Sequence, residues 1–387
     1  MEIKSQSRAQ NIVLRTTTPV PVLHIIKSLG RGGAETLLPE TLAQHNKEKF
    51  QFHYIYFLPW KGQMVDAIKQ AGGIVSCFSA KNNIAIISKA FKIAAYVKKH
   101  NIKLIHCHLP WAGIVGRLVG KLTGVPVVYT EHNSWERYHK FTYLLNKFSF
   151  SSQEQVIAVS ADVAKSIKSR YSGHKPYIDV VLNGINTEKF SPDQPVNRNI
   201  REELKIPKEA TVIGLACVFR KQKRVPVWLE IAKQLHSRFP TTHFIIAGDG
   251  PLKAEIDAKA SELGTNGFVH FVGLQAEIKP YLKAMDIFMM TSEFEGLPIA
   301  LMEAMSMGCM PACTSAGGIG ELINNDHNGV LVPVSDPMQL VTNLSEYLQD
   351  PSRITKMGML ARETVIDRFS MQQMVDQIET LYDNLLK

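Results

Sequence analysis

Short β-rich apolar runs alternate with amphipathic stretches along almost the whole chain, and this rhythm restricts the fold more than any other feature. In the first half the strand candidates are VPVLHII (20–26), FHYIYFL (52–58), KLIHCH (103–108), PVVYTEH (126–132) and QVIAVS (155–160). The second half repeats the pattern with TVIGLACV (211–218), THFIIAGDG (242–250), GFVHFVG (267–273), DIFMMTS (286–292), MPACTS (310–315) and GVLVP (329–333). Helical patterns intervene at 34–45, 87–100, 225–238, 251–263, 298–307 and 336–348. Strands alternating with helices imply crossover units and parallel sheets. The run 181–199, VLNGINTEKFSPDQPVNRN, is rich in Asn, Gly and Pro and reads as a linker between two such units. The expected organisation is therefore a polar leader (1–19), a first doubly wound domain (20–190), a second (191–368) and a last amphipathic helix (369–387). Ligands of such sheets bind at the carboxyl ends of the strands, so the cleft between the domains is the natural site.

Composition excludes several classes. With 387 residues, 45% hydrophobic and 20% charged, the chain is neither disordered nor collagenous nor a coiled coil. It has no run of 18 apolar residues, and its N-terminus lacks the apolar core of a signal peptide. Five scattered cysteines suit reduced thiols and a cytoplasmic protein, on the inner face of a membrane where it meets one. Cys309 and Cys313 lack the further ligands a metal site needs. The formal charge of +9 points to an anionic partner, whether nucleic acid, membrane or phosphorylated substrate. It divides at the linker: residues 1–190 hold 25 Lys and Arg against 11 Asp and Glu, and residues 191–387 hold 19 against 24. The basic residues are dispersed and form no recognition module, which argues against nucleic acid.

The richest motif is TSEFEGLPIALMEAMSMG (291–308), with Glu295 and Glu303 eight residues apart. Eight residues of helix rise roughly 12 Å, about the span from a sugar to a ribose across a diphosphate. Carboxylates only accept, and hydroxyls donate to them. Pro298 suits the first helical turn, whose free N–H groups suit a phosphate. The same residues also fit an ordinary helix with surface glutamates. FRKQKR (219–224) follows a strand and offers Arg220, Lys223 and Arg224 to neutralise a diphosphate; a solvated loop is the alternative. SAGGIGEL (315–322) and AGDGPLK (247–253) are glycine turns that permit close backbone approach or simply a tight strand-to-helix turn. KSLGRGGAET (27–36) carries Gly30, Gly32 and Gly33 but lacks the dinucleotide fingerprint. His106 and His108 share one strand face, with His108 nearer the carboxyl end, and His132 ends the next strand. The segment 136–150 sets Phe141, Leu144, Leu145 and Phe148 on one helical face beside Lys140 and Lys147. It suits either an interfacial helix with snorkelling lysines or a helix covering the first sheet.

Together these residues resemble the retaining glycosyltransferases of family 4. The resemblance rests on GRGGAE, H-x-H, TEH, AVS, VLNGINTEKF, the basic run, AGDGP, VGL, Glu-x7-Glu and GG-x-x-E, in that order from about residue 20 to 370. It implies a GT-B fold: two Rossmann-like domains facing a cleft, with the last helix crossing back to the first. It implies a nucleotide-sugar donor bound by Glu295 (sugar), Glu303 (ribose), Arg220 and Lys223 (diphosphate), and Gly32 or Gly33. Gly248, Gly250, Gly296 and Leu297 complete the expected donor site. His132 would act beside the reacting sugar, with His108 and Asn133 on the acceptor side. Many members place the arginine five residues before the lysine. Here that position is Val218, which leaves Arg220, Lys223 and Arg224 as alternatives at the phosphates. The expected partners are a saccharide or lipid-linked acceptor and an anionic membrane surface at 136–150, and no metal or cofactor is expected. A 2-epimerase of the same fold and a non-enzymatic nucleotide-sugar-binding protein are the alternative readings.

Overall fold

The computed structural model describes residues 18–387, so the expected leader lies outside it but for its last two residues. The first sheet is built from β1 (Val20–Ile26), β2 (Phe50–Tyr56), β3 (Ile74–Cys77), β4 (Leu104–His108), β5 (Val127–Glu131), β6 (Gln155–Ala158) and β7 (Tyr177–Val180). Its strand order is β3-β2-β1-β4-β5-β6-β7. The second contains β8 (Val212–Ala216), β9 (His243–Ala247), β10 (Val269–Gly273), β11 (Ile287–Met290), β12 (Met310–Thr314) and β13 (Val330–Val332), in the order β10-β9-β8-β11-β12-β13. All the pairings are parallel. Helices cover both faces, so the central strands β4, β5, β11 and β12 are wholly buried.

The expected strands recur within a few residues of their sequence bounds. Two edge strands, β3 and β7, were not anticipated; each is four residues long and largely open to solvent. The helical pattern at 87–100 divides into helices Asn83–Ile87 and Ala90–Lys99. Helix Pro110–Thr123 lies unusually close to the first sheet because glycines line its inner side. A Cβ on Gly116 would fall 2.0 Å from Cys107 Sγ, and one on Gly120 would fall 2.5 Å from Val127.

The chain passes between the sheets twice. The outward passage, within the expected linker, is packed rather than loose: Asn183, Ile185 and Phe190 are buried. The return passage runs beside it, with Ile185 N–H donating to Phe369 O (2.9 Å) and Met371 N–H donating to Ile185 O (2.8 Å). Helix Met371–Leu386 then lies on the first sheet beside helix Gly33–Gln44, burying Met374, Val375, Ile378 and Tyr382 against Val22, Leu38 and Phe50. His45 Nδ1 and Asn46 N–H each lie 2.8 Å from Glu379 Oε1 and fix this helix along its length.

Beneath it is a buried polar string. Tyr382 Oη is 2.5 Å from His106 Nδ1, whose Nε2 is 2.6 Å from Thr130 Oγ1. His24 Nδ1 is 3.0 Å from His108 Nε2. Burial lowers the pKa of His106 to about 3 and that of His24 well below the ordinary range, so both rings are neutral. Tyr382→Phe would leave a buried imidazole nitrogen unpaired and should cost about 1–3 kcal/mol in urea unfolding. Asp383→Asn, which breaks only the solvent-facing pair with Lys49, should cost no more than about 1 kcal/mol.

Candidate active site

The carboxyl ends of the two sheets face each other, and loops from both meet there. After β11, Thr291 is fully buried and its hydroxyl lies 3.1 Å from the carbonyls of both Lys223 and Arg224. Glu293 N–H donates to Gln222 O at 2.7 Å. These bonds sew the basic loop after β8 to the glutamate loop after β11. Lys223 Nζ consequently lies 2.5 Å from Glu295 Oε1, which also accepts from Ser292 Oγ at 2.6 Å. Arg220 is exposed at the start of the same turn. Arg224, the third basic candidate, takes a left-handed φ of 50° and donates to Val334 O at 2.8 Å, so its guanidinium anchors the loop. Thr291 and Ser292 carry no motif signal of their own; only their place just before Glu295 could have flagged them.

Helix Ile299–Ser306 follows with Pro298 at its N-cap. Glu303 is half-buried on it, near the Lys189–Glu40 ion pair (2.6 Å). Removal of its carboxyl from water raises its pKa from 4.5 to about 8; Lys189 opposes this shift and Glu40 adds to it. Gly33 faces the start of this helix, where a Cβ would lie 3.8 Å from Ile299. Gly32 caps helix Gly33–Gln44, and a Cβ there would crowd the Glu35 carboxylate at 2.3 Å. The first-domain glycine loop therefore lies against the start of a second-domain helix.

The other glycines have a more local reason. A Cβ at Gly248 would fall 1.9 Å from Cys217 O, and one at Gly250 would fall 2.6 Å from Phe219 N. Both let the loop after β9 press against the end of β8, which aims the basic run. Gly317 and Gly318 pack behind the glutamate loop, where their Cβ atoms would meet the carbonyls of Glu295 and Gly296 at 2.0 and 1.9 Å. Glu321, just beyond them, reaches the first domain and accepts from Ala161 N–H at 2.8 Å, at the N-terminus of helix Ala161–Arg170.

On the first-domain side, His132 directly follows β5. Its carbonyl fills the space a Gly296 side chain would need (2.5 Å), so the two loops touch. Burial lowers its pKa to about 4, and its Nε2 has no protein partner among the described residues. Asn133 is half-buried, and its N–H donates to Glu131 Oε1 at 3.2 Å. Glu131, which no motif assigns a role, also accepts from Tyr129 Oη at 2.9 Å and Trp135 Nε1 at 3.0 Å, and so shapes the loop that carries His132. Leu297 is buried, and its carbonyl accepts from Asn183 Nδ2 at 3.3 Å. Arg137 lies over the Phe294 ring at 3.9 Å, a further link between the domains.

His108 is not open to the cleft as expected. It is 6% exposed, shares a face with His106 and bonds His24, and its ring centre is 5.9 Å from that of His132. The donor atoms of His24, His106 and His108 lie within 4.8 Å of one another; His24 Nδ1, both His106 nitrogens and His108 Nε2 are paired within the polar string, and His108 Nδ1 has no protein partner among the described residues. The segment 136–150 resolves into a turn, Trp135–Arg137, and helix Lys140–Ser149. Leu145 packs inward, whereas Phe141, Leu144 and Phe148 are 51, 47 and 82% exposed.

Residues 31–189 match the family described as Glycosyltransferase Family 4, and residues 196–364 match Glycosyl transferases group 1. The UDP-Gal:alpha-D-GlcNAc-diphosphoundecaprenol alpha-1,3-galactosyltransferase of Escherichia coli is 27% identical over 303 residues, covering 75% of this chain and 77% of that protein. The N-acetyl-alpha-D-glucosaminyl L-malate synthase of Bacillus anthracis is 26% identical over 308 residues, covering 78% and 80%. Among solved structures, Anabaena HepE with UDP-glucose superposes with a TM-score of 0.83 at 20% identity, over 94% of this chain and 99% of that one. Sucrose-phosphate synthase from Thermosynechococcus elongatus gives 0.80 at 17% identity, over 95% and 99%. Two facing parallel sheets, loops in the family's order and matches to both halves lead to one assignment: the chain belongs to the family 4 glycosyltransferases and has the GT-B fold.

Proposed function

We propose that the protein is a retaining, metal-independent glycosyltransferase that moves a sugar from a nucleotide-sugar to a hydroxyl of a saccharide or lipid-linked acceptor, in cell-surface polysaccharide or glycolipid synthesis. The observation that carries this reading is the Lys223–Glu295 pair, held at the mouth of the cleft by Thr291 and Ser292, with Glu303 on the helix that follows. In this reading Lys223 and Arg220 neutralise the diphosphate, Glu295 accepts from sugar hydroxyls and Glu303 from the ribose. The acceptor oxygen bonds to the anomeric carbon on the face from which the phosphate oxygen departs. The acceptor proton passes to that departing oxygen, so no protein base is needed and configuration is kept. His132, neutral at physiological pH, offers an uncharged hydrogen-bonding group beside the sugar. Positive charge already in place at the leaving group supplies most of the rate.

Two observations bear on the acceptor. The Escherichia coli relative is named for a diphosphoundecaprenol-linked acceptor. The outward residues Phe141, Leu144 and Phe148, with Leu118 and Leu122 exposed on a helix of the same domain, have Lys121, Lys140 and Lys147 among them. Apolar side chains with lysines around them suit an anionic bilayer surface. Among the described residues no helix is long and apolar enough to cross a membrane.

Glu303→Ala and Lys223→Ala should each lower kcat/KM with a nucleotide-sugar by about a hundredfold or more, with the circular dichroism spectrum retained. Folded, fully active variants would remove the assignment. UDP should raise the melting temperature of the wild type, because it binds only the folded state. A second test uses pH. Glu303 holds a proton in the folded protein up to about 8 that the unfolded chain releases near 4.5, so its contribution to stability is lost as pH rises through that range. Glu303→Gln should therefore gain on the wild type by about 1–3 °C in melting temperature between roughly pH 5 and pH 9. UDP should narrow that gap, because ribose hydroxyls stabilise the ionised carboxylate. In sedimentation with phosphatidylglycerol vesicles at low salt, the double variant Phe141→Ser/Phe148→Ser should lose most of its binding, and equal binding would exclude this face as the contact.

A further inference from the structure

At the carboxyl ends of β1 and β2, beside the Gly30–Gly33 loop, two lysines are brought together. Lys27 O accepts from Phe57 N–H at 3.1 Å, and Lys61 O accepts from Leu29 N–H at 2.8 Å. Gly30 lies against Lys61, 3.7 Å from a Cβ on the glycine to the lysine's own Cβ. Among the described residues neither ammonium forms an ion pair. Lys27 is half-buried, and desolvation together with the Lys61 charge lowers its pKa. A partly desolvated cation beside a like charge, without a counter-charge, is an unfavourable arrangement in the free protein. A bound dianion would relieve it.

We propose that Lys27 and Lys61 form an anion subsite on the first-domain lip of the cleft that takes a phosphate or diphosphate ester carried by the acceptor. That its ligand is an acceptor rests on the glycosyl-transfer reading. The subsite is separate from the donor diphosphate's cations, Arg220 and Lys223, which stand on loops of the second sheet. Two ammonium groups act as point charges and can neutralise a phosphate dianion without a fixed angle of approach. Leu23 and Ile25, at alternate positions before Lys27, pack into the layer formed by helices Ala90–Lys99 and Pro110–Thr123. Lys27 follows β1 directly, at its carboxyl end.

The probe is inorganic pyrophosphate, titrated calorimetrically at low salt into the full chain, with and without saturating UDP. Lys27→Gln and Lys61→Gln should each weaken pyrophosphate binding by about tenfold, as loss of one charge-assisted contact does, and leave UDP affinity unchanged. Lys69→Gln, an exposed lysine on the neighbouring helix Val65–Gln70, should change neither. Unchanged pyrophosphate affinity in both cleft variants, or an equal loss in Lys69→Gln, overturns the subsite. Competition between pyrophosphate and UDP that the variants abolish overturns it too, since the lysines would then serve the donor. UDP that fails to bind the wild type sinks the glycosyl-transfer reading, while the pyrophosphate comparison still judges the lysine pair. Phosphatidylcholine vesicles containing a polyprenyl diphosphate separate the sources. Binding to them that falls in the variants supports the subsite with a lipid-linked phosphate. Loss of pyrophosphate affinity without that fall supports it with a water-soluble one.

Discussion

Two passages of chain, hydrogen-bonded to each other at Ile185, Phe369 and Met371, set where the two sheets face each other. Each sheet is a self-sufficient parallel layer, but on the glycosyl-transfer reading neither holds a complete site. The first contributes His132 and the Gly30–Gly33 loop, and the second contributes Lys223, Glu295 and Glu303. Because the return passage continues into helix Met371–Leu386, the chain end is committed to the first sheet through Tyr382 and Glu379. The polar string beneath that helix fixes its height as well as its position. A slip along the helix axis would unpair Tyr382, His106 and Thr130 together, in surroundings where unpaired polar groups are costly.

Contact across the cleft mostly sets a side chain of one domain against the backbone of the other. His132 O against Gly296, Asn183 on Leu297 O and Glu321 on the start of helix Ala161–Arg170 each join a loop of one sheet to an element of the other. Such contacts specify distance closely and do not use Glu303 or Arg220. Arg137 on Phe294 adds an aromatic contact next to the glutamate loop, so movement of the first-domain loop is felt one residue from Glu295.

Much of this was legible in the sequence because it is periodic. Strands such as VPVLHII and TVIGLACV are continuous apolar runs, as doubly covered parallel strands must be. The edges β3 and β7 escaped because a strand flanked on one side only needs neither length nor apolarity. The Glu-x7-Glu pair and the basic run were readable as residues, but their joining was not: the Lys223–Glu295 contact depends on Thr291, whose hydroxyl gives no periodic signal. His108 misled for a related reason. Position along a strand says how near the carboxyl end a residue lies, but the side it faces depends on what covers that side, here the last helix of the chain. The glycines of AGDGP and SAGGIGEL were recognisable as close approaches, and what approaches them is neighbouring backbone.

On the glycosyl-transfer reading, the same joined pair accounts for how an acidic half-chain would take an anionic donor. Residues 191–387 carry more acid than base, so no broad field draws a nucleotide diphosphate to them. In the free protein Lys223 is shielded by Glu295, with side chains 17 and 11% exposed, and the site presents little net charge. On the glycosyl-transfer reading the diphosphate replaces Glu295 as the partner of Lys223. Ser292 keeps the released carboxylate oriented, and sugar hydroxyls then supply the donors it has lost. A sugar without a diphosphate would have to break the ion pair without compensating the lysine, and a diphosphate without a sugar would leave the glutamate underfilled. Charge neutralisation and sugar recognition are thus two halves of one exchange, and the complete donor is the ligand that satisfies both.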